Sequence, residues 1–271
     1  MYENFFGLRE KPFNVTADPN FLFFSKKHRE AFDHLIYGIR ERKGFLEITG
    51  EIGTGKTTLC RVFLNQLDEK IKSAFILNSN LPDVQLLSAI ATDFNINIRP
   101  KTKINILTEL NRFLIDQLRL GYNAVLIIDE AQNLKASQLE QIRLLSNLET
   151  DKEKLIQIIL VGQPELKAKL NSPDLEQLRQ RIAIRYHIQP LDEEEVDDYI
   201  YHRLHIAGSD GNIRFEPDAV TEIYNYSNGV PRLINIACDK AMLLGFVLET
   251  KTISADMVKR SIEEIEGYIK I

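Results

Sequence analysis

Residues Gly50, Glu51, Ile52, Gly53, Thr54, Gly55, Lys56 and Thr57 fit the pattern G-x-x-x-x-G-K-[ST]. Glycines at these spacings let a backbone curl until its N–H groups converge, which makes a nest for an anion. The pattern carries chemistry only where it follows a strand and opens a helix. The apolar run 45–49 precedes it and a helix-periodic segment starting at Lys56 follows it. A helix in that position turns its positive end toward a bound phosphate. Lys56 adds a point charge suited to β- and γ-phosphates, and the Thr57 hydroxyl can reach a Mg²⁺ ion, with Thr58 beside it.

A second group of chemical interest is the pair Asp129 and Glu130, which ends the apolar run 124–128. Carboxylates at the C-terminal edge of a parallel sheet lie in the crevice where such folds bind ligands. Asp129 is then placed to hold hydrated Mg²⁺, and Glu130 to orient or deprotonate a water. Two acids after a strand could equally open a helix, favoured by its dipole. The upstream glycine loop tips the balance, because one nucleotide site accounts for both motifs. A second acid at this place points to hydrolysis, whereas a kinase would bring a separate acid and a lid for its acceptor.

The elements that must position these residues can be read from hydrophobic spacing. Runs 45–49, 73–78, 124–129, 156–161 and 184–188 are short and rich in Ile, Val and Phe, as buried parallel strands are. Between them, 56–70, 83–95, 103–120 and 137–150 carry apolar residues three or four apart. The last has Leu139, Ile142, Leu145 and Leu148 on one face, opened by a Ser137/Glu140 capping box. This alternation predicts a doubly wound α/β domain. After Pro190 strand signals stop and helix starts recur, at Asp192 with Glu195, at Pro217, Pro231 and Ser254. The expected division is an N-terminal arm and first helix (1–44) packed on a nucleotide domain (45–190), then a helical domain (191–271).

Bulk composition removes several alternatives. The 271 residues carry 34 basic and 39 acidic side chains, a net charge of −5, with 44% apolar and 27% charged. This is the balance of a globular protein, neither disordered nor polybasic. Cys60 and Cys238 sit apart in apolar surroundings, without ligand spacing, and read as buried thiols. The N-terminus has acids and a proline where a secretion signal would be basic and then apolar. The longest apolar stretches fall far short of the roughly 18 residues of a bilayer span. A cytoplasmic location is expected, at the inner face of the membrane if a partner or a further C-terminal segment holds it there.

The chain resembles the AAA+ ATPases, and more closely those of the general secretion pathway protein A family. FFGLREKPF, TADPNFLF, GEIGTGKTTL, LIIDEAQ, IILVGQPEL, LRQRI and NGVPRLIN carry the resemblance, between residues 5 and about 236. It implies a P-loop NTPase (AAA+) fold, a five-stranded parallel sheet followed by a small all-helical lid, and an ATP/ADP and Mg²⁺ site. By this resemblance Gln163 stands where a polar residue senses the γ-phosphate, although a loop Gln before Pro164 is also ordinary turn chemistry. Arg181, with Arg179 behind it and Arg185 nearby, stands where an arginine reaches a neighbouring subunit's γ-phosphate. The alternative is that these arginines solvate a helix end. Gly229-Val230-Pro231-Arg232 looks like the second sensor, with Arg232 aimed at the nucleotide; the alternative is an ordinary exposed arginine in the first turn of a helix.

Two further stretches carry alternatives. The six phenylalanines Phe5, Phe6, Phe13, Phe21, Phe23 and Phe24 either lie against the adenine side of the site or cover a core. The acids Asp192, Glu193, Glu194, Glu195, Asp197 and Asp198 read as a solvated, dipole-matched first turn and not as a cation site.

The leading expectation is an ATP-hydrolysing protein that forms a homo-oligomeric ring or filament with ATP and acts on a secretion or cell-envelope partner. An alternative is a DNA-associated AAA+ regulator of the transposition type, which has a similar layout; the net charge of −5 weighs mildly against it. A third is a switch that holds ATP without turning it over, against which Glu130 argues.

Overall fold

In a computed structural model of the chain, residues 2–77, 79–147 and 154–267 are described. In chain order they form α1 (Tyr2–Phe6), α2 (Lys26–Arg40), β1 (Phe45–Gly50), α3 (Lys56–Asn65), β2 (Ile71–Ile76), α4 (Asp83–Asp93), α5 (Lys103–Arg119) and β3 (Asn123–Ile128). There follow α6 (Ala136–Leu145), β4 (Gln157–Gly162), α7 (Pro164–Leu170), α8 (Glu176–Arg179), β5 (Ile182–Ile188), α9 (Glu193–Ile206) and β6 (Arg214–Phe215). The chain closes with α10 (Pro217–Ser227), α11 (Pro231–Val247), β7 (Thr252–Ile253) and α12 (Ala255–Glu266). They divide into two units, one comprising Arg29–Gly50 and Leu59–Ile188, the other Met1–His28, Glu51–Thr58 and Gln189–Ile271.

The first unit holds the sheet, whose five parallel strands run in the order β2-β3-β4-β1-β5. Parallel strands are covered on both faces, which is why β3 and β4 are apolar nearly throughout. On one face Leu126, Ile128, Ile158 and Leu160 pack with Leu87, Ile90, Ile106 and Leu139 from α4, α5 and α6. On the other, α2 closes against β1 at Gly38, where a Cβ would stand 2.3 Å from Leu46 Cδ2. The strands start or end within two residues of the expected positions: β2 begins at Ile71 and not 73, and β5 at Ile182 and not 184.

Helix ends differ more. α3 stops at Asn65 and not at 70, because the chain turns there to bring the Ile71 N–H onto Asp68 O at 2.8 Å. α6 opens one residue early, and the side chain that returns to its start is Gln138, whose Oε1 accepts the Lys135 N–H at 3.0 Å. Glu140, expected to close a capping box with Ser137, instead pairs with Arg143. Of the range expected for that helix, 148–150 lies outside the described residues, as does Asn78 of the expected second strand.

In the second unit the helix starts at Asp192, Pro217, Pro231 and Ser254 stand as expected. The Glu195 carboxylate accepts the Asp192 N–H at 3.1 Å, and Ser254 Oγ accepts the Met257 N–H at 3.5 Å. A two-residue parallel pair, β6 with β7, supplements the helices. Phe6, Phe13 and Phe21 of the arm are buried with Ile200, Ile223, Ile234 and Met242 of α9, α10 and α11. Arg203 of α9 pins it, donating to Pro12 O at 2.5 Å and Asn14 O at 3.0 Å while stacking on Phe21. Phe6, Phe13 and Phe21 therefore cover a core, and Phe5 and Phe23 pack against it partly buried.

Candidate functional site

Within the sheet unit, β1, β3 and β4 are parallel, so Gly50, Asp129 and Gln163 all follow the same end of the sheet. Asp129 is 2% exposed, and its Oδ1 accepts the N–H of Glu130 at 2.9 Å. Glu130 adopts left-handed backbone, φ 50° and ψ 38°, uncommon outside glycine and frequent at functional turns. Ser79 Oγ donates to its carbonyl at 2.8 Å. Its carboxylate accepts from two amides, Gln163 Nε2 at 3.1 Å and Gln132 Nε2. Gln132 Oε1 in turn accepts the Gln163 backbone N–H at 3.1 Å, closing a ring of three residues. Gly162 makes room for it, since a Cβ there would meet Gln132 Oε1 at 2.6 Å. Gln132 was not singled out in the sequence; its place three residues after Asp129 is the signal that stood next to it.

The three arginines have different surroundings. Arg181 donates from Nη1 to Ser146 Oγ at 3.1 Å and to Asn147 Oδ1, at the end of α6. Arg179 is 39% exposed and forms a 4.0 Å ion pair with Glu176. Arg185 Nε lies 3.3 Å from the buried carboxylate of Glu47, and its Nη2 donates to Arg179 O at 3.0 Å. Burial raises the Glu47 pKa, with Arg185 opposing.

Within the second unit, Glu51–Thr58 forms a tight loop. The Glu51 carbonyl accepts Thr54 N–H at 3.3 Å, Thr54 Oγ1–H at 2.9 Å and Lys56 Nζ at 2.8 Å. Gly53 and Gly55 have φ of 84° and 91°, backbone that L side chains rarely adopt. Gly53 is also a point of close approach, since a Cβ would meet Arg232 Cβ at 2.6 Å, and Gly53 O accepts the Arg232 N–H at 3.3 Å. Arg232 itself is exposed at the first turn of α11. His28, a residue absent from the sequence expectations, is 3% exposed and touches this loop through Thr54 O at 2.8 Å. Both cysteines are buried, as expected. Among the described residues no helix is long and apolar enough to cross a membrane, and no group of three or more His, Cys, Asp or Glu could hold a metal.

This sheet order, with a glycine loop following β1 and an acidic pair following β3, defines a P-loop α/β protein of the AAA type. Residues 39–170 match the family described as AAA domain. Over 268 residues, 98% of its length, the chain is 42% identical to general secretion pathway protein A of Aeromonas hydrophila, of which it spans about half, 49%. The resemblance expected from the motifs is therefore met across nearly the whole chain. It is also 23% identical over 273 residues to the Holliday junction branch migration complex subunit RuvB of Mesomycoplasma hyopneumoniae, covering 98% of this chain and 72% of that one. Solved structures sharing the fold include the ORC2 protein of Aeropyrum pernix in ADPNP–ADP complexes, with TM-score 0.67, 18% identity, and coverage of 88% of this chain and 67% of that one. Cdc6p of Pyrobaculum aerophilum has TM-score 0.69 at 18% identity, covering 88% of this chain and 66% of that one.

Proposed function

We propose that the chain binds ATP or ADP with Mg²⁺ and hydrolyses ATP, and that nucleotide-dependent self-association lets it act on a secretion or cell-envelope partner. The observation that carries the hydrolytic reading is the Glu130 carboxylate, held in fixed orientation by Gln132 and Gln163 beside a buried Asp129. A carboxylate so placed can take a proton from water, and general-base action of this kind is worth about 10²- to 10⁴-fold. The backbone of Gly50 to Thr58 receives the phosphates, with Lys56 as point charge. Asp129 and the Thr57 hydroxyl supply the oxygen donors that a hard divalent cation prefers. Bound there, Mg²⁺ would neutralise charge on the β- and γ-oxygens. Gln163 donates to Glu130 here, and an amide has a second N–H for a phosphate oxygen or the water. Arg232 reports on the nucleotide, and Arg181 or Arg179 on that of a neighbouring copy.

The secretion role rests on the resemblance to general secretion pathway protein A. A second reading, action on DNA, is favoured by the similarity to RuvB, a subunit of a Holliday junction branch migration complex. ATP hydrolysis measured against protein concentration, with and without double-stranded DNA, separates them. A specific rate that climbs with concentration and ignores DNA supports shared sites in a self-assembled protein; a rate that stays low until DNA is added supports the second. In the same assay Lys56→Ala should lose nucleotide binding, and Glu130→Gln should keep binding while turnover falls. Unchanged turnover in both variants would remove the assignment.

A further inference from the structure

His28 is a histidine whose two ring nitrogens are both committed. Nε2 lies 2.8 Å from the carbonyl oxygen of Thr54, and Nδ1 lies 2.7 Å from Ser25 Oγ. A carbonyl can only accept, so Nε2 carries the proton. In the neutral ring Nδ1 then accepts from the Ser25 hydroxyl. Ser25 Oγ in turn accepts the backbone N–H of His28 at 3.2 Å, as a serine does at a helix start. Ser25 and His28 are 2% and 3% exposed, so both hydrogen bonds are shielded from water. Burial lowers the His28 pKa, which keeps the ring neutral.

The consequence for the loop follows from peptide geometry. In a planar trans peptide the carbonyl and the following N–H point in opposite directions. Holding Thr54 O toward His28 therefore turns the Gly55 N–H away from it. Gly55 also fits against the ring, because a Cβ there would meet Nε2 at 3.2 Å. With φ of 91° Gly55 is free to rotate, and a flip of the Thr54–Gly55 peptide would cost it little. The donor from His28 removes that freedom.

We propose that His28 is a positioning residue of the phosphate loop, its Nε2–H anchoring the Thr54 carbonyl so that the Gly55 N–H is already aimed at the phosphate of a nucleoside di- or triphosphate, with Ser25 holding the ring in place through Nδ1. The inference rests on reading Gly50 to Thr58 as a nucleotide site. Preorganised donors of this kind avoid the reorganisation cost that a mobile amide incurs on binding.

The test is equilibrium binding of ADP and ATP to the full chain as His28→Phe, His28→Gln and Ser25→Ala, with Lys56→Ala as reference and thermal unfolding measured without nucleotide. Phe keeps a flat ring without the donor, whereas Gln restores an N–H. Binding should weaken about tenfold in His28→Phe and recover to within about threefold in His28→Gln. The recovery should come without a matching change in melting temperature. Unaltered affinity in a folded His28→Phe overturns the proposal, as does an equal loss in both His28 variants, which would show that ring packing matters and not donation. Should His28→Phe fail to fold, Ser25→Ala carries the test: affinity should fall about threefold, and no fall overturns the proposal. If Lys56→Ala itself binds both nucleotides like the wild type, it is the phosphate-loop reading that fails.

Discussion

Glu47 shows how a single side chain in the middle of a strand can work against the fold. It is 3% exposed, its partner Arg185 approaches at 3.3 Å, and its pKa lies above the ordinary carboxylate value because burial outweighs that attraction. A carboxylate whose folded-state pKa is raised holds its proton more tightly in the native state than in the unfolded chain. Stability therefore falls as pH rises through the window that starts at the ordinary value near 4.5 and ends at the raised one. Glu47→Gln should then match the wild type below that window and exceed it in melting temperature above it. A scan of thermal unfolding from pH 4 to pH 8 reads this directly. A variant less stable at pH 8 would mean that the Arg185 ion pair outweighs the burial cost.

At the scale of elements, the turn into α11 depends on one glycine. Asn228 and Gly229 both have positive φ, 47° and 74°, and end α10 before Pro231 opens the next helix. Gly229 O accepts the Leu191 N–H at 2.9 Å, and a Cβ on Gly229 would stand 1.9 Å from Leu191 O. Gly229→Ala must shift backbone, not a flexible side chain, besides meeting the left-handed penalty of about 1–2 kcal/mol. We expect at least about 2 kcal/mol of lost stability in denaturant unfolding, together with weaker nucleotide binding, because α11 starts where Gly53 O accepts the Arg232 N–H. A cost under about 0.5 kcal/mol, the range of ordinary surface changes, would show that the turn re-forms without strain. Arg203 makes the same point for the arm: its bonds to Pro12 O and Asn14 O tie residues far apart in sequence into one core.

At the scale of the whole molecule, the proposal that copies share a site turns on the arginines. Arg181 is bound to Ser146 and Asn147 of its own chain, while Arg179 is loosely paired, with Glu176 at 4.0 Å. A residue that reaches a neighbour must release its own partners, so this favours testing Arg179 alongside Arg181. Arg179→Ala and Arg181→Ala, each mixed with Glu130→Gln, should restore part of the hydrolysis that each lacks alone, if the altered arginine serves the partner's site. Fingers of this kind are worth roughly 10³–10⁵ in rate, so even partial rescue stands above background. Rescue with one arginine names it, and no rescue with either, at any mixing ratio, would point to sites complete within one chain.

The sequence alone determined the elements whose causes are local. Apolar runs between glycine and proline signals located five strands within two residues of their ends, and proline or capping residues located four helix starts in the C-terminal part, since these depend on backbone propensity and nearby hydrogen bonds. It also placed Asp129 and Glu130 at the C-terminal edge of the sheet, because parallel strands share a direction, whereas Gln163 was indicated by the family resemblance alone. Only the tertiary structure decided that the arm joins the C-terminal helices, that Gln132 reaches Glu130, that His28 touches the loop and that Glu47 is buried beside Arg185. Each of these joins residues whose side chains meet only once the chain has packed, or depends on how neighbouring strands are covered. Helix ends shifted for the same reason, because at α3 and α6 the hydrogen bond that ends or opens the helix is selected by the turn the chain must make.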